Sequence, residues 1–303
     1  MKTAIIAFNA PKDFDFWRTV YSHGWCSLLP FNVDKEHHVL NRILTLTNGS
    51  LVLCRISDQK KSQLSIKTNS SALLTVAHRS EVIRQITSCL RLTEDFSDFY
   101  RETRRYPKYS WIAKIKAGRM LRSPSVFEDV VKMICTTNCS WALTEIMINN
   151  LVEKLGKTFD DSNKSFPSPG ALAGTTDQFL RTHIKAGYRS PFLLEFAKEV
   201  ASGKLDVEHW RSSELTTEAL FKELHSIKGV GAYSAGNILK LLGRYDYLGL
   251  DSWVRAQYYK MYHQGRIVSD LTIERRYARF GKWRGLFFWL EMTNYWYDHE
   301  FPF

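Results

Sequence analysis

From about residue 40 to 76 the chain alternates apolar and polar residues, "VLNRILTLTNGSLVLCRISDQKKSQLSIKTNSSALLTV", with turn chemistry at Asn48-Gly49 and again in "DQKKSQ". A two-residue period puts one set of side chains on a single face of a pleated strand, so this stretch predicts an antiparallel β-meander. From "SEVIRQITSCLRL", near residue 80, apolar residues recur every three to four positions instead, and amphipathic helices separated by short turns follow almost to residue 297. Strands come first and helices afterwards. They predict an α+β fold, mainly α, with an N-terminal antiparallel sheet domain over residues 1–95 and a helical region over 96–303. Within that region "SPSVFEDVVKMICTTNCSWALTEIMINNLVEKLG" reads as two helices broken near Thr136 to Ser140, the first opened by a Ser125/Glu128 capping box.

The chain carries a net charge of +11, which favours a polyanionic partner because phosphates attract lysine and arginine and binding releases condensed counterions. Charge by itself does not separate nucleic acid from other anions. No apolar run approaches the roughly 18 residues of a membrane span, and the opening "MKTAIIAFNAPKDFDFW" reads as structure, not as a signal, because Asp13 and Asp15 follow its apolar stretch at once. The five cysteines are odd in number and form no C-x-x-C pair, which points to reduced thiols in an intracellular protein. Cys135 and Cys139 are two ligands at most, and the adjacent His37 and His38 read as surface residues, so no metal and no cofactor is expected.

Two helix-patterned stretches, "TTEALFKELHSI" and "AYSAGNILKLLG", flank "KGVG", which is therefore a tight turn between helices. A dinucleotide fingerprint needs a preceding strand and a third glycine at the right spacing, and a P-loop needs G-K-[ST]; neither is present. Two readings of the turn stay open. One is a helix C-cap with a sharp turn after it. The other is a hairpin whose backbone N–H groups, with the positive end of the next helix, form a site for one phosphate that side chains would only obstruct. Asp251 lies twenty residues beyond Gly231 and opens "DSWVRAQYYKMY", where aspartate is a preferred helix N-cap. Capping and chemistry coexist, because N–H bonds to a carboxylate favour its charged form and a cation-like transition state needs that charge.

"LHSIKGVGAYSAGNILKLLG" followed by "LGLDSWVR" resembles the helix-hairpin-helix superfamily of DNA glycosylases, whose signature is such a hairpin, a Gly/Pro-rich loop and an aspartate. "GRMLRSPSVFEDVVKMICTTN" looks like the helix and loop of the alkylation and 8-oxoguanine branches, "SFPSPGALAG" and "GYRSPFLLEFAKEV" are similar to the segments that follow, and "FGKWRGLFFWLEM" is similar to the "PWR" helix of the 3-methyladenine branch. The likeness spans roughly residues 95 to 297.

The resemblance implies base excision from double-stranded DNA holding a damaged or modified base, by a monomer, with no cofactor and no iron–sulfur cluster. Asp251 would be the catalytic carboxylate. Gly229, Val230 and Gly231, with Lys228 and Ser234 beside them, would grip a DNA phosphate. Thr137 and Asn138 would fill the gap left by the flipped base, or else form a turn or cap. Tyr233 stands where the lyase members carry a nucleophilic lysine, and Lys228 and Lys240 are displaced from that place. A monofunctional enzyme is implied, with Tyr233 and Trp253 in the base pocket. As plain aromatics Tyr233, Trp253, Trp283 and Phe287 are equally well core residues, and Arg255 and Arg284 pair with acidic residues or with phosphate. The "KWRG" stretch favours alkylated purines and "ICTTN" favours 8-oxoguanine. A non-catalytic DNA-binding protein and a helical protein–protein scaffold are the other classes this sequence admits.

Overall fold

The computed structural model describes residues 1–59 and 62–297. Its sheet contains β1 (Lys2–Asn9), β2 (Phe31–Asp34), β3 (Val39–Thr45), β4 (Leu51–Gln59) and β5 (Gln63–Ser70), all antiparallel, in the order β1-β5-β4-β3-β2. The expected meander is β3-β4-β5. Its first turn closes through Gly49 N–H to the Leu46 carbonyl (2.7 Å), with Gly49 at φ +80°; in its second, Lys60 and Lys61 lie outside the described residues. The alternation did not announce β1 and β2, which pair at the two edges.

Val52, Cys54 and Ile56 on β4 and Leu64 and Ile66 on β5 are buried on the sheet's inner face. On β3, Arg42 sits between Leu40 and Leu44 on that face and is only 3% exposed. The helices of eight or more residues are α1 (Val76–Cys89), α2 (Ser97–Arg104), α3 (Val126–Cys135), α4 (Trp141–Leu155), α5 (Ser190–Ala201), α6 (Thr217–Ser226), α7 (Ala232–Leu242), α8 (Ser252–His263), α9 (Asp270–Tyr277) and α10 (Arg284–Met292). Glu128 of α3 answers the buried Arg42 with two hydrogen bonds, 2.9 and 2.6 Å, and pairs with Lys132 at 2.8 Å. Burial pushes the Glu128 carboxyl up, but Arg42 and Lys132 outweigh it and hold it down at about 2.

That demand corrects the expected capping box. Ser125 Oγ accepts the Glu128 N–H (3.2 Å), but the Glu128 carboxylate turns inward to Arg42, and Glu208 accepts the first N–H groups of α3 instead, from Val126 (3.0 Å) and Phe127 (3.1 Å). The break between α3 and α4 falls where expected, with Ser140 capping α4.

The apolar interior does not divide at residue 95. One buried cluster runs from Ile6 and Val52 on the sheet through Val130 on α3 to Leu239 on α7. A second, aromatic cluster joins Phe99 of α2, Val254 and Tyr258 of α8, Tyr277 of α9 and Phe287 of α10. Asp251 lies where α7 gives way to α8, between the two. Among the described residues no helix is long and apolar enough to cross a membrane.

Candidate active site between the two cores

The loop from α7 to α8 returns against α7 at unusually short range. A Cβ on Gly236 would meet the Gly249 Cα at 3.1 Å, and one on Gly249, itself at φ +64°, would meet the Asn237 side chain at 2.8 Å. Glycine at both positions lets the two backbones touch. The loop then ends on Asp251, whose carboxylate accepts the Val254 N–H at 2.7 Å and caps α8. The capping role is therefore real, and it leaves part of the half-buried carboxylate facing a cavity.

That cavity encloses about 720 Å³, within the roughly 300–1,000 Å³ typical of small-molecule sites. Asp251, Tyr233 and Trp253 line it together, as do Asn138 and Thr136 of the loop after α3. The Tyr233 hydroxyl faces both Asp251 and Thr136; burial and the Asp251 charge push it well above the ordinary tyrosine range. Trp253, Trp289 and Trp296 form an aromatic wall, with ring centroids 5.5 Å apart for Trp253–Trp296 and 5.6 Å for Trp289–Trp296. Across the cavity His23 stacks on Trp25 at 4.9 Å, and Asp129 holds the Trp25 indole N–H at 2.8 Å. Burial, with Lys132, Arg91 and Lys240 adding to it, pushes His23 down to about 3, so the ring is uncharged at neutral pH.

Sequence reading missed His23, Trp25, Trp289 and Trp296. They come from segments more than 200 residues apart, and no local pattern marks them as partners. Of the other singled-out aromatics, Trp283 is half-buried and stacks on Tyr245 (5.4 Å) against the aromatic core, while Phe287 is fully buried within it. Arg255 pairs with Asp270 through two 2.8 Å hydrogen bonds, and Arg284 donates to the Asp246 carbonyl. His37 and His38 are exposed.

In the hairpin the two glycines differ. Gly229 takes φ +87°, and a Cβ there would strike the Phe192 side chain at 2.8–2.9 Å. Gly231, the N-cap of α7, has ordinary φ, is exposed, and has nothing within 4 Å of a Cβ position. Space for an incoming group therefore lies over Gly231. Val230 is 3% exposed and its N–H is spent on the Ile227 carbonyl (3.0 Å), while Ser234 is 1% exposed. Neither presents its side chain to the surface. Lys228 is exposed and pairs with Glu195 at 2.7 Å, a surface pair of little energetic weight.

Asn138 is exposed at φ +46°, a left-handed conformation that asparagine tolerates. Its amide donates to the Tyr188 hydroxyl (3.3 Å), which donates in turn to the Thr137 carbonyl (3.2 Å), and Arg189 donates to the same carbonyl. Thr137 Oγ1 caps the end of α3 through the Ile134 carbonyl (2.8 Å). Tyr188, which the sequence reading did not single out, thus shares this exposed edge.

No protein-family profile matches the chain, and no curated sequence matches it significantly. Solved structures do. A 3-methyladenine DNA glycosylase from Archaeoglobus fulgidus is similar over 98% of this chain and 99% of its own, with a TM-score of 0.73 at 21% identity. The apo form of an 8-oxoguanine glycosylase/lyase from Clostridium acetobutylicum matches over 95% of both chains, with a TM-score of 0.72 at 19% identity. The same enzyme in complex with double-stranded DNA containing cytosine opposite 8-oxoguanine matches 88% of this chain at a TM-score of 0.63. Over nearly its whole length, the chain has the fold of these DNA glycosylases.

Proposed function

We propose that the protein is a DNA base-excision glycosylase that takes a damaged base, an alkylated purine first of all, out of the duplex and hydrolyses its N-glycosidic bond. The observation that carries this reading is the placement of the Asp251 carboxylate at the edge of an aromatic-walled cavity, on the glycosylase fold. A base inside a duplex must be flipped to be reached, at a cost of a few kcal/mol. The exposed Gly231 end of α7 would hold backbone phosphate meanwhile, and Asn138, with Thr137 behind it and Tyr188 beside it, would occupy the gap.

Breaking the bond places positive charge on the sugar. A fixed carboxylate stabilises that charge where water is excluded, and the free lone pairs of Asp251 would orient the attacking water. Tyr233, Trp253, Trp289 and Trp296 offer π faces suited to an electron-poor, alkylated ring. Tyr233 carries no amine, which supports hydrolysis without strand cleavage. The test is base release from duplexes carrying 3-methyladenine, 7-methylguanine, hypoxanthine or 8-oxoguanine, with and without alkali. Breaks that appear only after alkali, at an alkylated or deaminated purine, fit the reading. Breaks without alkali contradict the monofunctional part, and release of 8-oxoguanine alone contradicts the substrate.

A further inference from the structure

One cation is buried in the seam that positions Asp251. Lys240 on α7 is 0% exposed, and its ammonium donates to the Leu248 carbonyl at 2.5 Å and to Asn237 Oδ1 at 3.2 Å. Asn237 donates in turn to the carbonyls of Tyr233 (3.0 Å) and Gly249 (3.5 Å). Tyr233, Asn237 and Lys240 are four and three residues apart, so they share one face of α7. That face grips the backbone immediately before Asp251. The Trp289 ring lies 5.7 Å from the ammonium. The ionisable groups facing it are Asp251, which favours its charge, and His23, which feels that charge.

A lysine here is expensive as structure. An apolar side chain would fill the space without desolvating a charge. Burial in fact outweighs the pull of Asp251 and holds the amine down at about 7.

We propose that Lys240 is a positioning residue for Asp251: through Leu248 and Asn237 its ammonium anchors the loop that carries the carboxylate, and it sets a buried positive charge beside it. The reaction it serves is that of the glycosylase reading above. Charge-assisted hydrogen bonds are roughly twice as strong as neutral ones, so the anchor slackens when the amine loses its proton.

The test compares wild type with Lys240→Gln, which keeps a donor of similar length without the charge, and Lys240→Met. Single-turnover base release and binding to an abasic duplex are followed from about pH 6 to 9, across the window set by the amine. The wild-type rate is expected to fall as pH rises through about 7. Lys240→Gln should lose about tenfold in rate at the acid end, keep its DNA affinity and lose that pH limb. The stability of Lys240→Met relative to wild type should fall as pH rises from about 7 toward 10.5, because only wild type sheds a desolvated charge in that window; a difference that stays constant with pH overturns the desolvated charge. A Gln variant with the wild-type rate and limb overturns the proposal, as does a wild-type rate that rises through pH 7. So does a borohydride-trapped DNA adduct that the Gln variant lacks, which would make Lys240 a nucleophile. A second arm needs no catalysis: by NMR of carbon-labelled lysine, Lys240 should titrate near 7, and Asp251→Asn should lower that midpoint. An unmoved midpoint overturns the coupling. A wild type that releases no base from any duplex sinks the glycosylase reading, while the NMR arm still decides the role of Lys240.

Discussion

Single residues at this site carry two tasks at once. Asp251 caps α8 through the Val254 N–H (2.7 Å) and faces the cavity with its remaining lone pairs, so a suitable replacement separates capping from the proposed chemistry. Tyr233 offers its ring to the cavity wall and its hydroxyl to Asp251 and Thr136. Tyr233→Phe keeps the ring and removes the hydroxyl. A hydrogen bond to a charged group contributes about 1.5–3 kcal/mol, so a single-turnover rate roughly tenfold or more below wild type, with unchanged DNA affinity, is expected; equal rates would show that the hydroxyl is idle. At this scale the sequence was informative where local spacing carries the information. An aspartate before a helix, and two glycines between helices, are local patterns. The stacking of His23 on Trp25 and the convergence of Trp289 and Trp296 on the same cavity are long-range events, written in no neighbouring residues.

The hairpin and the loop show how elements place those residues. Gly229 needs its left-handed φ of +87° and the space beside Phe192, whereas Gly231 needs neither. Gly229→Ala should therefore lower the melting temperature, by about 1 kcal/mol or more of stability, from strain and overpacking. Gly231→Ala should melt like wild type yet, on the proposed function, bind duplex DNA more weakly, because its methyl group enters the open space over Gly231. Thermal melts and binding titrations on both variants check the pair. Equal effects of the two on both readouts would deny the division of labour. The elements themselves were legible where one face is the more deeply buried: β3-β4-β5 alternates because its inner face meets the main core, although Ile43 and Leu53 are covered on the other face as well. The capping box formed only in its Ser125 half, because Arg42, 86 residues away, recruits the Glu128 carboxylate, a demand that no window around Ser125 reveals. The edge strand β1 was missed for a related reason, since it finds its partner β5 more than fifty residues later; β2 pairs with its neighbour β3 but, at four residues, is too short to display a period.

At the scale of the whole molecule, buried ionisable groups tie stability to pH. His23 is held down from its usual 6.5 to about 3, so the unfolded chain takes up that proton first and stability falls as pH drops from about 6.5 toward 3. Glu128, held down from 4.5 to about 2 against the cost of its burial, contributes stability above about 4.5 that is lost as pH falls through 2. Lys240 acts in the opposite window: the unfolded chain keeps its proton to about 10.5 and the folded one only to about 7, so its contribution grows as pH rises between those values. Denaturant melts across this range should show stability declining below about pH 6.5, with His23→Phe flattening the upper part of the decline. A variant with the wild-type slope would show that the His23 ring is not the group responsible. The net charge of +11 bears on the same scale: duplex binding should weaken linearly in log affinity against log salt.

On the glycosylase reading, Asp251 performs chemistry beyond capping. Asparagine keeps the side-chain oxygen that caps a helix and removes the negative charge. The decisive measurement is therefore single-turnover base release by Asp251→Asn beside wild type, on whichever lesion wild type processes, with binding to an abasic duplex measured on the same preparations. The expected result is a rate lower by about 100-fold or more, as for the loss of a preorganised electrostatic group, from a folded variant with matching abasic affinity. A variant that releases the base at the wild-type rate would contradict it and leave Asp251 a helix cap alone.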